Sequence, residues 1–170
     1  MGNLCAIFMF IFFITLPAAE SNTASDFNLS DIDGNSISLD SMLTKGPVFM
    51  SFWSLQCKMC IKELDALKSY YDEFDSLGVN FLAVSVDKMR ALPQVKPFVK
   101  SRKWKYTIIL DPENVMRDLY NVQAMPTSFI IDQNKNIIFT HQGYKPGDEK
   151  LIVENLYCLL ENKPEDEDKD

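Results

Sequence analysis

The sequence predicts an α/β domain: a central mixed sheet with helices on both faces and a β-hairpin ahead of it. Three observations carry that reading. Apolar, strand-like runs alternate with helix-period stretches through the middle of the chain, the pattern of a sheet covered by crossover helices. The run from Val79 to Asp87 is nearly continuous and rich in β-branched residues, as in a parallel strand buried on both faces. After Pro126 the order is strand, polar turn, strand, helix, which closes the sheet with a hairpin. At 170 residues the chain makes one domain plus appendages, and 46% apolar content is enough for a core.

Met1 to Ala19 has no charged side chain, and Leu4 to Leu16 is apolar apart from Thr15. The run ends in Leu16-Pro17-Ala18-Ala19, small residues suited to cleavage, so 1–19 reads as a secretory signal. It is short for a membrane span, which needs about 20 residues. No Lys or Arg precedes it, which leaves an uncleaved anchor as the alternative. Residues 20–26 read as a polar linker, 27–161 as the folded domain, and 162–170 as an acidic disordered tail.

Within the domain, Phe27-Asn28-Leu29-Ser30 and Ser36-Ile37-Ser38-Leu39 alternate at period two around the Asp33-Gly34 turn signal, a hairpin. Asp40 to Leu43 makes a short helical turn. Pro47 to Trp53 is the central strand. Cys60, Leu64, Leu67, Tyr71 and Phe74 follow at helical spacing and predict one long helix, with Gly78 as its C-cap. Pro93 and Pro97 delay the next helix to Phe98–Lys103, in a basic neighbourhood of Lys96, Lys100, Arg102, Lys103 and Lys105. Thr107 to Leu110 is a short strand. Asp111-Pro112 has the chemistry of an N-cap and first helical residue, so a helix should open there and reach Leu119 or Tyr120. Strands follow before and after the turn at Gln133 to Asn136. Gly147-Asp148 opens the last helix.

The net charge of −7 argues against nucleic acid as a partner. The chemistry concentrates in Ser51 to Glu63. Cys57 should stand at a helix N-terminus with Cys60 one turn on. Unpaired N–H groups and the helix dipole favour a thiolate there. They lower a Cys pKa from about 8.5 to as little as about 3.5. Such a pair can attack a disulfide and resolve the mixed intermediate. The competing reading is half a zinc site, but structural zinc needs four ligands. The remaining candidates, Cys5, Cys158 and the lone His141, have no matching spacing. No metal and no cofactor are expected. Cys158 reads as a small buried core residue, and His141 as a surface or hydrogen-bonded side chain.

Phe52-Trp53 ahead of Cys57-Lys58-Met59-Cys60, with Glu63 three residues later, resembles the thioredoxin superfamily. More narrowly, it is similar to the TlpA/ResA-like extracytoplasmic thiol-disulfide oxidoreductases. The resemblance implies a thioredoxin-like fold with redox-active Cys57 and Cys60, Cys57 attacking and Cys60 resolving. It implies that Glu63 handles the proton of Cys60, since Ser51 stands where cytosolic thioredoxins keep a buried Asp. Met59 replaces the usual Pro. Met125-Pro126-Thr127 resembles the superfamily's cis-Pro loop, which implies substrate contact by Trp53, Met125 and Pro126. The implied setting is periplasmic or otherwise extracytoplasmic. The implied partners are a protein disulfide substrate, such as apocytochrome c during cytochrome c maturation, and a membrane thiol-disulfide electron donor. Membrane contact by this chain is expected only if 1–19 stays uncleaved.

Two other functions share this scaffold. Peroxiredoxin-type peroxidases show Thr-x-x-Cys, whereas Ser54 precedes Cys57 here. Copper carriers show two Cys separated by three residues with a distal His; here the separation is two.

Overall fold

The computed structural model describes residues 22–162. The signal or anchor reading of 1–19, the start of the linker and the tail beyond Asn162 lie outside the described residues. In chain order the elements are β1 (Asn28–Ser30), β2 (Ser36–Ser38), α1 (Leu39–Leu43), β3 (Val48–Trp53), α2 (Lys58–Leu67), α3 (Tyr71–Ser76) and β4 (Asn80–Ser85). They continue with α4 (Leu92–Arg102), β5 (Thr107–Leu110), α5 (Val115–Leu119), β6 (Thr127–Ile131), β7 (Ile137–Gln142) and α6 (Glu149–Glu161).

Five strands form one mixed sheet in the order β5-β4-β3-β6-β7. β3, β4 and β5 run parallel, and β6 and β7 are antiparallel to their neighbours. β3 is the middle strand and is buried along its whole length. Alternation along it feeds two apolar layers. Phe49 and Trp53 face α2, α3, α4 and α6; Val48, Met50 and Phe52 face α1, α5 and the N-terminal segment. The two parallel connections, through α2–α3 and through α4, put their helices on the same face, as right-handed crossovers in one direction must.

The β1–β2 hairpin docks on the β5 edge. The Asp31 carboxylate accepts the Asp33 and Asn35 N–H groups, each at 2.8 Å, which shapes the turn. Ile32 N–H then donates to the Ile108 carbonyl at 3.0 Å. The hairpin thereby covers an edge that would otherwise invite pairing with another chain. At the other end of the sheet, Ala24 N–H donates to Lys135 and Ile137 N–H to Asn22. Residues 22–24 thus pack against the β6–β7 turn, with Ala24 buried. Gly46 and Gly78 meet where β3 and β4 begin. A Cβ on Gly46 would collide with the Gly78 carbonyl oxygen.

Four expectations are corrected. The long helix is two, α2 and α3. Ser69 Oγ donates to the Ala66 carbonyl at 2.9 Å, a local bond that competes with the helical ladder. Tyr70 N–H turns back to Leu67, yet the apolar stripe continues across the break to Phe74. The prolines do not delay α4. Pro93 occupies its first turn, where an N–H has no helical partner anyway, and Pro97 removes a single ladder bond. Asp111-Pro112 forms a turn and α5 starts at Val115; the Asp111 carboxylate still caps it by accepting Arg117 N–H at 3.0 Å. Cys158 is exposed rather than core. α6 buries Ile152, Val153 and Leu156, and helical phase puts residue 158 on the opposite face. The basic neighbourhood of α4 is largely paired: Lys96 with Asp33, Arg102 with Asp65 and Lys105 with Asp72.

Candidate active site

β3 delivers the chain to the loop Ser54–Gln56, and α2 begins immediately after Cys57. Asp87 holds that loop. The residue is 6% exposed, and its carboxylate accepts Leu55 N–H at 3.0 and 3.2 Å and the Ser85 hydroxyl at 2.9 Å. Cys57 is the N-cap of α2 and accepts Cys60 N–H on its sulfur at 3.2 Å. Cys57 and Cys60 are joined by a disulfide with Cα atoms 5.3 Å apart. Cys60 is fully buried among Leu64, Leu67 and the aromatic layer, while Cys57 is half-buried. Met59, between them, is 43% exposed.

Glu63 has no exposed surface. Its Oε2 accepts the Ser51 hydroxyl at 2.7 Å and its Oε1 the Ser128 hydroxyl at 2.9 Å. Ser51 and Ser128 are register partners on β3 and β6, so the sheet itself presents both donors to one carboxyl. Burial pushes Glu63 up to about 7, the two serine hydrogen bonds pull against that rise, and the charge of Asp148 adds to it. A carboxyl at this value exchanges protons near neutral pH.

The Met125–Pro126 bond is cis. Pro126 is buried and Met125 half-buried. Met125 and Met59 line a groove of about 540 Å³ with Pro126, His141, Tyr144 and Asp148. His141 Nε2 lies 3.2 Å from Asp148 Oδ2, and the imidazole stacks on Phe139. Asp148 is held below the usual carboxylate range, first by the Lys145 N–H and then by His141.

Trp53 departs from the expected role in substrate contact. It has no exposed surface and lies between Phe98, stacked at 5.9 Å, and Trp104, edge-on at 5.0 Å. It backs the disulfide layer instead of lining the groove. Ser128 and Asp87 belong to no motif in the sequence. A lone Ser inside each of two apolar strands, Phe49-Met50-Ser51-Phe52-Trp53 and Thr127-Ser128-Phe129-Ile130-Ile131, was the available signal. Among the described residues no group of three His, Cys, Asp or Glu side chains is placed to hold a metal ion.

Comparison with known proteins agrees with this geometry. Residues 21–140 match the AhpC/TSA family. A thiol-disulfide oxidoreductase ResA of Bacillus cereus is 32% identical over 138 residues, which cover 81% of this chain and 72% of that protein. ResA of Bacillus subtilis (strain 168) is 32% identical over 120 residues, 71% of this chain and 65% of that protein's length. A Chlorobium tepidum structure described as a candidate thiol:disulfide interchange protein DsbE superposes with a TM-score of 0.75 at 26% identity, covering 85% of this chain and 99% of that one. The family match spans the hairpin, the disulfide and the cis-proline loop together. The chain therefore belongs to the AhpC/TSA family, as a thioredoxin-like thiol-disulfide oxidoreductase of the ResA type.

Proposed function

We propose that this protein is an exported reductase of selected protein disulfides, with cysteine pairs of apocytochrome c as the substrate class its resemblance suggests. The observation that carries the reading is a fully buried carboxyl, poised near neutral, one helical turn beyond the buried half of a CxxC disulfide. In the reduced enzyme the Cys57 thiolate attacks a substrate disulfide and one substrate sulfur leaves as a thiolate. Cys60 gives its proton to Glu63 and attacks the Cys57 sulfur. The second substrate sulfur leaves, and the enzyme holds the Cys57–Cys60 disulfide. Two electrons pass to the substrate. A membrane thiol-disulfide donor returns the enzyme to the dithiol. Met125 offers its main chain to an extended substrate segment, and Pro126 holds that loop against the disulfide. Met59 gives the site an apolar lip. Residues 1–19 carry the export signal or anchor; among the described residues no helix is long and apolar enough to cross a membrane.

The test is a redox titration of the Cys57–Cys60 pair followed by trapping with Cys60→Ser. The expected result is a mixed disulfide through Cys57, carrying an exported protein substrate. Trapping through Cys60 in a Cys57→Ser variant, with none through Cys57, reverses the assignment of attacking and resolving residues. Peroxide consumption faster than disulfide exchange overturns the reductase reading.

A further inference from the structure

Glu63 is sealed from solvent, yet it must be the carboxylate before it can take the proton of Cys60. Re-reduction can hand that proton back to Cys60, so what the buried carboxyl needs is a route by which it equilibrates with solvent between half-cycles. Among the described residues its hydrogen-bond partners are Ser51 and Ser128. The strand register places a third polar side chain in line with them: Ser51 pairs with Ser128, and Ser128 pairs with His141 on β7. Directly opposed residues share a face of the sheet. The neighbours of this row on that face are apolar: Phe49, Trp53, Ile130 and Phe139. Polar groups in such a layer cost free energy unless they are partnered.

The row is open at one end only. Beyond Ser51 it meets Ala83 on β4, which is fully buried. Beyond Ser128 it meets His141, which with Asp148 lines the groove beside Met59 and Met125. The side chains of His141 and Asp148 are 20% and 26% exposed. Opposed Cβ atoms stand about 4.5–5.5 Å apart, a span that one bridging water between Ser128 Oγ and His141 would close. The Nε2 atom faces Asp148, leaving Nδ1 for Ser128.

We propose that Ser128, His141 and Asp148 form the proton exit of Glu63, opening into the substrate groove; this rests on the role given to Glu63 above. The Glu63 carboxyl passes its proton to Ser128 Oγ, and the serine hydroxyl passes its own to His141. The imidazolium, with Nε2–H held by the Asp148 carboxylate, releases the newly gained Nδ1 proton to water, so its tautomer is unchanged. Glu63 ends as carboxylate, Ser128 and His141 end as they began, and no electron moves. Loading runs the same steps backwards. Ser51 anchors the second carboxyl oxygen and leads nowhere.

The other titratable groups facing Glu63 do not serve. Cys60 on α2 is the proton's source. Tyr106, ahead of β5, donates to the Leu64 carbonyl, and Tyr144, ahead of α6, donates to Glu149. Burial raises both phenols far above neutral. Asp148 stays charged. Imidazole can take a proton on one ring nitrogen while the other holds its own, which a carboxylate or phenol cannot do.

The experiment is the oxidation of the reduced full chain by glutathione disulfide, followed from pH 5 to 9, for wild type, His141→Ala, Ser128→Ala and Glu63→Gln. The expected result is a slowing of at least about tenfold in the Cys60-dependent step of His141→Ala below pH 7, where Glu63 must shed a proton before it can take that of Cys60; this is modest beside the 10²–10⁴-fold typical of acid–base groups. Added imidazole should restore that rate in proportion to its concentration. It should not restore Ser128→Ala. Alkylation of Cys57 should keep its wild-type rate in His141→Ala, which shows an intact site. A wild-type rate and pH profile in His141→Ala, or a loss that imidazole does not repair, overturns the exit route. If Glu63→Gln also exchanges at the wild-type rate, the role of Glu63 itself has failed; if Glu63→Gln is slow and His141→Ala is not, only the route has.

Discussion

The two faces of the central sheet are built from the same strands and differ in one respect. On the side of α1, α5 and the N-terminal segment, the buried layer is Val48, Met50, Phe52, Leu82, Val84, Ile109, Phe129 and Ile131, with one hydroxyl, Thr127, satisfied locally by the Ala124 carbonyl and no ionisable group among them. On the side of α2 and α6 the layer is also apolar, but Ser51, Ser128 and Glu63 interrupt it beneath the disulfide. One face holds the fold together. The other gives up part of its packing to keep an exchangeable proton beside sulfur. Alternation within β3 makes this division possible, since Ser51 and Phe52 are adjacent in sequence and point to opposite layers.

The largest expected effect tests the structural face. Phe52 is fully buried and packs on Tyr120 and Phe129. Phe52→Ala should cost about 3–5 kcal/mol, the usual range for a buried aromatic. Urea unfolding should show the loss, while the pH profile of disulfide exchange keeps its shape. A changed profile would mean that the two layers are not separable.

Glu63→Gln tests the other face through the pH dependence of stability. Folding raises Glu63 from 4.5 to about 7, so the native state binds its proton more tightly than the unfolded chain does. The stability this contributes is complete below about pH 4.5 and is lost as pH rises through 7. Over that window oxidised wild type should lose about 3 kcal/mol relative to Glu63→Gln, with the other titrating groups cancelling in the difference. A difference that stays flat from pH 4 to 8 would show that Glu63 is not held neutral by burial.

Much of this contrast was legible in the residues. The strands follow apolar runs, and the helix start at Cys57 follows from the turn after Trp53. The burial of Glu63 was legible in phase as well, because it lies beside the Cys60-Leu64-Leu67 stripe at 100° per residue. Strand register was not legible, since it depends on which strands become neighbours. Without it Ser128 is one serine among several, and Asp87 shows no link to Leu55 thirty-two residues earlier. The α2–α3 break turned on a side-chain hydrogen bond from Ser69, which spacing does not reveal. Trp53 resisted for a different reason: a motif names the residue but does not say which way it faces.

Ser51→Ala sharpens the comparison by removing one donor and leaving the carboxyl in place. The Ser51 hydrogen bond favours the charged form, so its loss should move Glu63 further above 7. The cost depends on pH. At pH 6 most Glu63 is protonated in both proteins and the two should differ little. At pH 8.5 the buried charge lacks a partner, and the variant should lose about 1.5–3 kcal/mol, the range for a hydrogen bond to a charged group. Equal losses at both values would make Ser51 a packing residue only.

The smallest effect is expected where neither layer is touched. Cys158 lies on the solvent face of α6, away from Ile152, Val153 and Leu156 and far in helical phase from the buried stripe. A surface substitution away from caps and networks changes stability by no more than about 0.5 kcal/mol. Beyond the helical ladder this residue bonds through its backbone carbonyl, which accepts from Asn162, and that survives a side-chain change. Cys158→Ser should therefore leave the unfolding midpoint and the exchange rate unchanged. It should also abolish thiol labelling within residues 27–161 of the oxidised protein, because Cys57 and Cys60 are then tied up in their disulfide. Loss of exchange in this variant would bring a third sulfur into the cycle and end the assignment of the chemistry to one face of the sheet.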